Sequence, residues 1–379
     1  MRPYDVILFG ATGFTGTLTA HALASRAAVA PLRWAIAGRD RGKLDAVLAA
    51  VVARQPGIEP PGVVIARSHD AAELAQMVAQ TRVIASTVGP FDVHGDGLVE
   101  ACVDGGTDYV DITGEPAFWQ RMIARHHDTA RERGVLIVPC CGFDSIPHDL
   151  GAYFTAAQLP GNGPLEIEAY VRARGEPSGG TWASAINAMA NLRKSAGSGD
   201  GSARGGPRPR IHHADAVGQW VVPMPTVDPL VVRRSARFCP TFGESLRYHH
   251  YLQVRSLPAL VKLLAGVGIV AALAQTGPTR ALLLKWRGSG EGPSDEVRAR
   301  SECVVTFVGR RGGDSVRVEV AGHDPGYGLT AMMLSESALV LAEDRERLPH
   351  RGGVLTPASA LGEPLLERVK RGGLSVRVV

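Results

Sequence analysis

The sequence contains the stretch Asp5-Val-Ile-Leu-Phe-Gly-Ala-Thr-Gly-Phe-Thr-Gly16. Its apolar run over residues 6–9 predicts a buried strand, and residues 14–28 are typical of a helix. Gly10 permits a tight turn, Gly13 lets the backbone approach a pyrophosphate, and Gly16 lets the helix pack closely on the strand. The unpaired N–H groups of the first helical turn then attract phosphate. This stretch therefore predicts a dinucleotide-binding fold of the Rossmann type.

The second predicted strand, over residues 32–37, is followed by Gly38-Arg39-Asp40. This is about 20 residues after the glycines, where NAD sites place a carboxylate for the ribose. Here Arg39 offers a planar guanidinium that suits a 2′-phosphate, whereas Asp40 is expected to cap the next helix. We therefore expect NADP rather than NAD. The alternative is that Arg39 is a solvated loop residue.

The predicted cofactor contacts come from the glycine motif, the end of the second strand and the loop after the fourth strand. In that loop a Gly-Pro pair marks either a turn or a cofactor contact. Two more loops, over residues 113–115 and 141–147, follow later strands of the same predicted sheet. The predicted cofactor-binding residues are Gly10, Thr12, Gly13, Phe14, Thr15, Gly16, Arg39, Lys43, Thr87, Val88, Gly89, Pro90 and Phe91.

Composition narrows the classes of function. The chain has 379 residues, 45% of them hydrophobic, with 41 Lys and Arg against 37 Asp and Glu. This length predicts two domains, and the mild charge without a basic run argues against nucleic-acid binding. The cysteines lack a Cys-x-x-Cys spacing, so we expect neither a disulfide framework nor a structural zinc site. An apolar strand so early in the sequence leaves no room for a signal peptide, which indicates a cytoplasmic protein.

Strand and helix patterns alternate through residues 1–145. This order predicts a doubly wound parallel α/β sheet. Residues 146–345 are expected to form a second, α+β substrate domain, with a helix over 181–194 and a mobile loop over 195–210. Residues 346–379 are expected to form a C-terminal segment that packs back on the first domain.

Residues 263–279 contain no charged side chain. The stretch reaches the lower length limit for a membrane span. A buried helix or a dimer interface is the main alternative. An apolar wall for a lipid substrate and a helix that docks on a membrane surface are the others.

Six motifs together resemble the saccharopine dehydrogenase-like oxidoreductases, and within them the actinobacterial trans-acting enoyl reductases. The resemblance runs nearly end to end. The motifs are Gly10-Ala-Thr-Gly-Phe-Thr-Gly16, Ala37-Gly-Arg39, Gly142-Phe-Asp-Ser-Ile-Pro147, Gly179-Gly-Thr181, Gly322-His-Asp-Pro-Gly-Tyr-Gly328 and Gly352-Gly-Val-Leu-Thr-Pro357.

The resemblance implies a Rossmann domain and an α+β domain used for substrate binding and dimerisation, hence a homodimer. The enoyl-reductase branch implies NADPH as cofactor and an α,β-unsaturated thioester carried by a polyketide synthase during lipid assembly. The wider family implies an alternative, the reduction of an imine or amino acid adduct, which needs clustered arginines. A third reading is a non-enzymatic NADP-binding scaffold or sensor.

Enoyl reduction needs a proton donor beside the cofactor. Candidates at the entry to the second domain are Asp144, Ser145 and His148, with Thr181 and Tyr327 as more distant ones. The alternative for the first two is helix capping, and His148 can be an ordinary helix residue. Adjacent histidine pairs at 126, 212 and 249 do not share a face, so we expect no metal site.

Overall fold

The computed structural model describes residues 2–174, 186, 189, 209–224, 226–285 and 294–379. Its strands are β1 (Tyr4–Phe9), β2 (Trp34–Gly38), β3 (Gly62–Ile65), β4 (Thr81–Ser86), β5 (Asp108–Asp111), β6 (Leu136–Val138), β7 (Leu165–Arg174), β8 (His212–Ala214), β9 (Gln219–Pro223), β10 (Leu246–Val254), β11 (Glu302–Arg311), β12 (Asp314–His323), β13 (Gly353–Val354) and β14 (Ser375–Val378). Its α-helices are α1 (Phe14–Ala27), α2 (Arg41–Arg54), α3 (Ala71–Ala79), α4 (Phe91–His94), α5 (Asp96–Gly105), α6 (Pro116–Glu132), α7 (Ile146–Ala157), α8 (Asp228–Phe238), α9 (Leu257–Ala274), α10 (Gly277–Lys285), α11 (Asp295–Ala299), α12 (Gly328–Glu343) and α13 (Pro357–Arg371).

Local sequence fixes several helix starts. The Asp40 carboxylate accepts a hydrogen bond from the Lys43 N–H at 3.1 Å and so caps α2, as predicted. Asp70 caps α3 in the same way. Thr356 and Ser359 form a reciprocal capping box at α13. These caps place the helix N-termini at the ends of the preceding strands.

The first sheet has seven parallel strands in the order β13-β6-β5-β4-β1-β2-β3. Strands β1, β2 and β6 are largely buried apolar runs, as expected for a parallel sheet covered on both faces, whereas β3 at the sheet edge is partly exposed. Order 3-2-1-4-5-6 is that of a Rossmann fold, so the predicted fold class is confirmed. Strand β13 was not predicted, because a strand of two residues is too short to show an alternating or apolar sequence pattern.

The second sheet also has seven strands, in the order β14-β12-β11-β7-β10-β9-β8. Strands β7 and β10 pair in parallel, and the other pairs are antiparallel. Strands β11 and β12 form a hairpin around Gly312. Helix α7 leaves the first sheet and packs against β11 and β12, which joins the two halves of the molecule.

The C-terminal part of the chain contributes to both sheets. Helix α12, which the sequence placed in the second domain, packs on α1 and on β1, β4 and β5 of the first sheet. Strand β13 extends the first sheet and β14 extends the second. One apolar core contains Leu8 of the first sheet, Phe307 of the second and Leu339 of α12. The two sheets therefore share a continuous interior.

Two predictions in the second domain fall largely outside the described residues. Of the helix predicted over 181–194, Ile186 and Met189 are described, and both are helical. Thr181 and residues 195–208 of the predicted loop lie outside the described part of the chain.

Helix α9 contains most of the uncharged stretch, and it is not a core helix. Only 11% of its residues are buried inside the chain, namely Leu260 and Ala274. The structure thus overturns the alternative of a buried helix. Composition could show that the segment is apolar, but not whether another element covers it.

Candidate functional site

The turn between β1 and α1 is built from backbone contacts. Gly10 has φ of +93°, a conformation that side chains other than glycine rarely adopt. Its N–H donates to the Ala37 carbonyl at 2.9 Å, which ties the turn to β2. The Gly13 N–H donates back to the Gly10 carbonyl at 3.1 Å. The turn is therefore fixed before any ligand arrives.

Two glycines in this turn leave no space for a side chain. A Cβ at Gly16 would lie 2.1 Å from the Gly10 carbonyl oxygen, and a Cβ at Gly10 would lie 2.7 Å from Thr87 Oγ1. At Gly13 the nearest atom would be 3.5 Å away. Gly13 is exposed, so the open side of the turn lies there. These three positions form a cradle of the kind that a pyrophosphate occupies.

The N-terminus of α1 has no side-chain cap and no acidic residue in its first turn. The N–H groups of Phe14, Thr15 and Gly16 therefore point beyond the helix without an intrahelical partner. Thr12 is exposed beside them. An anion is the natural partner of such a helix end.

Positive side chains follow β2 at the same edge of the sheet. Arg41 pairs with Asp45 at 2.9 Å. Arg39 and Lys43 are exposed and form no ion pair with a described residue. Their charges are free for a ligand, and the guanidinium of Arg39 suits a 2′-phosphate.

The loop after β4 packs directly on the glycine turn. Thr87 Oγ1 donates to the Gly10 carbonyl at 3.0 Å. Val88 is half-buried, whereas Gly89 and Pro90 are exposed. The Phe91 ring is buried and packs against Phe118, with ring centroids 5.7 Å apart. Its contact with the cofactor stays a prediction.

Two carboxylates hold the neighbouring loops in place. Glu115 accepts the N–H groups of Phe91 and Asp92 at 3.0 and 2.8 Å. Asp111, at the end of β5, accepts the N–H groups of Thr113 and Cys140 at 2.9 and 3.0 Å. Burial raises the pKa of Asp111 to about 7, although these hydrogen bonds oppose the shift. The loops at the carboxyl edge of the sheet are thus cross-linked.

The backbone of Cys140 is strained in this arrangement. Its φ of +65° is unusual for a residue with a side chain and costs on the order of 1–3 kcal/mol. The hydrogen bond from its N–H to Asp111 holds it there. This backbone conformation turns the chain from β6 into residues 141–147, which contain the predicted proton donors.

Asp144 is the exposed residue among the three main candidates for proton donor. Its carboxylate lies against the loop after β5, since a Cβ at Gly114 would be 2.9 Å from Asp144 Oδ2. Solvent reaches the Asp144 side chain, but surrounding protein atoms partly desolvate its carboxylate. This desolvation raises the pKa of Asp144 to about 6. Asp228 adds to the shift, and His148 opposes it. Asp144 can therefore hold a proton near neutral pH.

Ser145 and His148 are buried, at 1% and 3% exposure. Ser145 is the N-cap residue of α7, but its side chain does not cap the helix. His148 Nδ1 lies 3.3 Å from Asp228 Oδ1 in an equally buried pair. Burial would lower the pKa of His148, but Asp228 and the carboxylates of Asp144 and Asp149 together outweigh burial and raise that pKa. Both residues are more deeply buried than Asp144. Their catalytic roles stay predictions.

His250 completes a buried cluster with His148 and Asp228, and their ligand atoms lie within 4.8 Å of one another. These are donors that a metal ion can use. However, Thr226 Oγ1 already lies 3.0 Å from His250 Nε2. Metal binding also requires neutral histidines, whereas Asp228 favours protonated His148. A buried ion pair accounts for the cluster, and the expectation of no metal site stays a prediction.

Tyr327 packs edge-on against Phe14 of the glycine motif, with ring centroids 4.8 Å apart. It precedes α12 and is 4% exposed. The structure thus brings the motif around residues 322–328 to the cofactor turn, although the two lie far apart in sequence. Tyr327 supports Phe14 there.

Sequence reasoning missed the supporting residues Asp111, Asp228 and His250. An acidic residue that ends an apolar strand was a usable signal for Asp111. Asp228 and His250 had none, because their partner His148 is about 80 and 100 residues away along the chain. Only the fold brings them together.

The comparisons with known proteins agree with this geometry. Residues 6–138 match the saccharopine dehydrogenase NADP-binding domain. A saccharopine dehydrogenase-like oxidoreductase of Homo sapiens is 31% identical over 100% of this chain and 98% of its own length. A putative trans-acting enoyl reductase of Mycobacterium tuberculosis is 34% identical over 99% of this chain and 97% of its own. Apo saccharopine dehydrogenase (L-Glu forming) of Saccharomyces cerevisiae shares the fold, with a TM-score of 0.58 at 14% identity over 99% of this chain and 100% of that chain.

Proposed function

Since the chain belongs to the saccharopine dehydrogenase-like oxidoreductases and its first domain binds NADP, we propose that it reduces the carbon–carbon double bond of an enoyl thioester. The glycine cradle and the uncapped end of α1 fit the pyrophosphate, and Arg39 fits the 2′-phosphate. NADPH, when bound, supplies a hydride to the β-carbon of such a substrate.

The position and raised pKa of Asp144 are the main support for this proposal. Asp144 is an accessible acid at the carboxyl edge of the sheet, where ligands of such folds bind. With its pKa raised to about 6, a protonated Asp144 can donate a hydrogen bond to the thioester oxygen while negative charge develops there. The same proton then passes to the α-carbon and completes the reduction. The buried His148–Asp228 pair would act as a positioning element behind it.

The charge around Asp144 favours this substrate over an amino acid adduct. An adduct with several carboxylates needs arginines in its pocket. Within the described residues, the charged groups that shift the pKa of Asp144 are Asp228 and His148, and no arginine is among them. Arg298, which lies 5.9 Å from the Phe14 ring, is already paired with Asp324 at 2.6 Å.

A substrate panel tests the proposal. Purified protein is mixed with NADPH and trans-2-enoyl thioesters of coenzyme A, N-acetylcysteamine and an acyl carrier protein, and loss of NADPH absorbance is followed. Amino acids mixed with oxo acids form the comparison set. We expect turnover with enoyl thioesters, carrier-bound ones above all. Turnover with only the imine set would replace the proposal, and NADPH binding without any turnover would favour a scaffold or sensor.

Arg39→Ala tests the assignment of the cofactor. Loss of a charged hydrogen bond to the 2′-phosphate should weaken NADPH binding by about 1–3 kcal/mol, or about 5–150-fold. NADH lacks this phosphate, so its affinity should change little. Titration calorimetry with both nucleotides measures the difference, and Arg41→Ala is the matched control because Arg41 is paired with Asp45. Equal losses for NADPH and NADH in Arg39→Ala would contradict the assignment.

A further inference from the structure

Helix α9 presents apolar side chains to solvent along most of its length. Leu257, Val261 and Ile269 are 53%, 59% and 62% exposed. The helix is long and apolar enough to cross a membrane. Soluble proteins rarely leave so large a contiguous apolar surface uncovered, and such a surface indicates an interaction site.

In the middle of the helix, over residues 264–269, the exposure extends around the whole circumference. All six residues of 264–269 are exposed. Because successive helical residues are about 100° apart, six of them pass through more than one full turn. A second protein surface covers one side of a helix, whereas an apolar medium covers all sides. This geometry favours lipid over a second copy of the chain.

The charges near the helix have one sign. Between Glu244 and Glu291 the sequence contains no acidic residue. Arg255, Lys262 and Arg280 are exposed around α9 and form no ion pair with a described residue. Unpaired cations beside an apolar surface are attracted to anionic headgroups. Two copies of the same positive surface would repel each other.

The connections of the helix limit how deeply it can enter. Its 18 residues extend about 27 Å, close to the thickness of a hydrocarbon core. However, β10 before it and β11 after it both pair with β7, so both ends return to one sheet. Helix α10 has nine residues and extends about 14 Å, too short to cross back.

From this geometry we propose that α9 and α10 dock the protein on one leaflet of an anionic phospholipid membrane. The apolar side chains enter the boundary between headgroups and acyl chains, and Arg255, Lys262 and Arg280 contact the phosphates. Leu282 of α10 is 70% exposed and continues the apolar surface. This inference concerns a surface and does not depend on the reaction that the protein performs.

Vesicle flotation tests the docking. The full-length protein is mixed with vesicles of phosphatidylcholine alone or of phosphatidylcholine with phosphatidylglycerol. We expect flotation with the anionic vesicles and much less with the neutral ones. Ile269→Asp should lower the bound fraction at least about tenfold, since a charge is costly in the apolar layer. Val29→Asp places the same charge on another exposed residue and should bind like the wild type.

NADPH affinity and the melting temperature, measured on the same samples, show that the variants are folded. Failure of the wild type to float, or equal flotation of Ile269→Asp and wild type, would overturn the proposal. Equal binding to neutral and anionic vesicles would overturn its electrostatic part. Self-association that Ile269→Asp abolishes, without vesicle binding, would replace the membrane with a second copy.

Discussion

Asp144→Asn should reduce turnover of an enoyl thioester by about 10²–10⁴-fold, the usual contribution of a positioned acid. Asparagine keeps the size of the side chain but cannot give up a proton at neutral pH. NADPH affinity should stay the same, because Asp144 lies in the loop before α7 and is not part of the glycine cradle. Steady-state kinetics and nucleotide titration on one preparation separate the two effects.

The pH dependence gives a second readout of the same residue. Desolvation raises the pKa of Asp144 to about 6, so the acid form that donates the proton is lost as the pH rises above 6. In the wild type kcat/KM should fall about tenfold per pH unit above that value. In Asp144→Asn this decline should be absent.

Stability measurements and a matched variant serve as controls for indirect effects of Asp144→Asn. An aspartate whose pKa is raised on folding stabilises the folded state less as the pH rises from the unfolded value through the folded one. Asp144→Asn should therefore melt no lower than the wild type at pH 8. Asp128→Asn makes the same change on the outer side of α6 and should leave kinetics unaltered. A wild-type rate in Asp144→Asn would exclude Asp144 as the donor.

Gly16→Ala should disrupt both the glycine turn and nucleotide binding. The added Cβ would lie 2.1 Å from the Gly10 carbonyl oxygen, and this atom is backbone that cannot swing away. Helix α1 would have to move off β1, which we expect to lower the free energy of unfolding by about 3 kcal/mol or more. Denaturant unfolding measures that loss, and NADPH affinity should fall by at least about 100-fold.

Gly13→Ala separates packing from binding. A Cβ there meets only the Gly10 oxygen at 3.5 Å, an ordinary contact. The fold should therefore persist, while the methyl group occupies the side from which the pyrophosphate approaches. We expect wild-type stability with weakened NADPH binding. Gly313→Ala, in a turn with open space around it, is the neutral control. Unchanged NADPH affinity in Gly13→Ala would contradict the placement of the pyrophosphate.

The parts of the molecule that sequence predicts well are those with local signals. Glycine spacing identifies the turn at Gly10, and apolar runs identify the parallel strands of the first sheet. The Asp40 cap is likewise a signal within a few residues. For these elements the residues that determine the structure are neighbours in the chain, so the pattern can be read directly.

Features that depend on contacts between distant parts of the chain could not be predicted from the sequence. Strand β13 has two residues and exists because β6 offers it an edge. The partners of His148 come from α8 and β10. The apolar character of α9 is visible in composition, but its exposure depends on which elements fail to cover it. Each of these features is set by tertiary packing that overrides local preference.

The continuous interior around Leu8, Phe307 and Leu339 has a consequence for ligand control. The two halves cannot swing apart without exposing that interior to water, and Asp144 is exposed without such a movement. We expect a dinucleotide held at the first sheet to resist melting of the second as well, because the shared core couples their unfolding. The molecule thus responds to its ligand as a single thermodynamic unit.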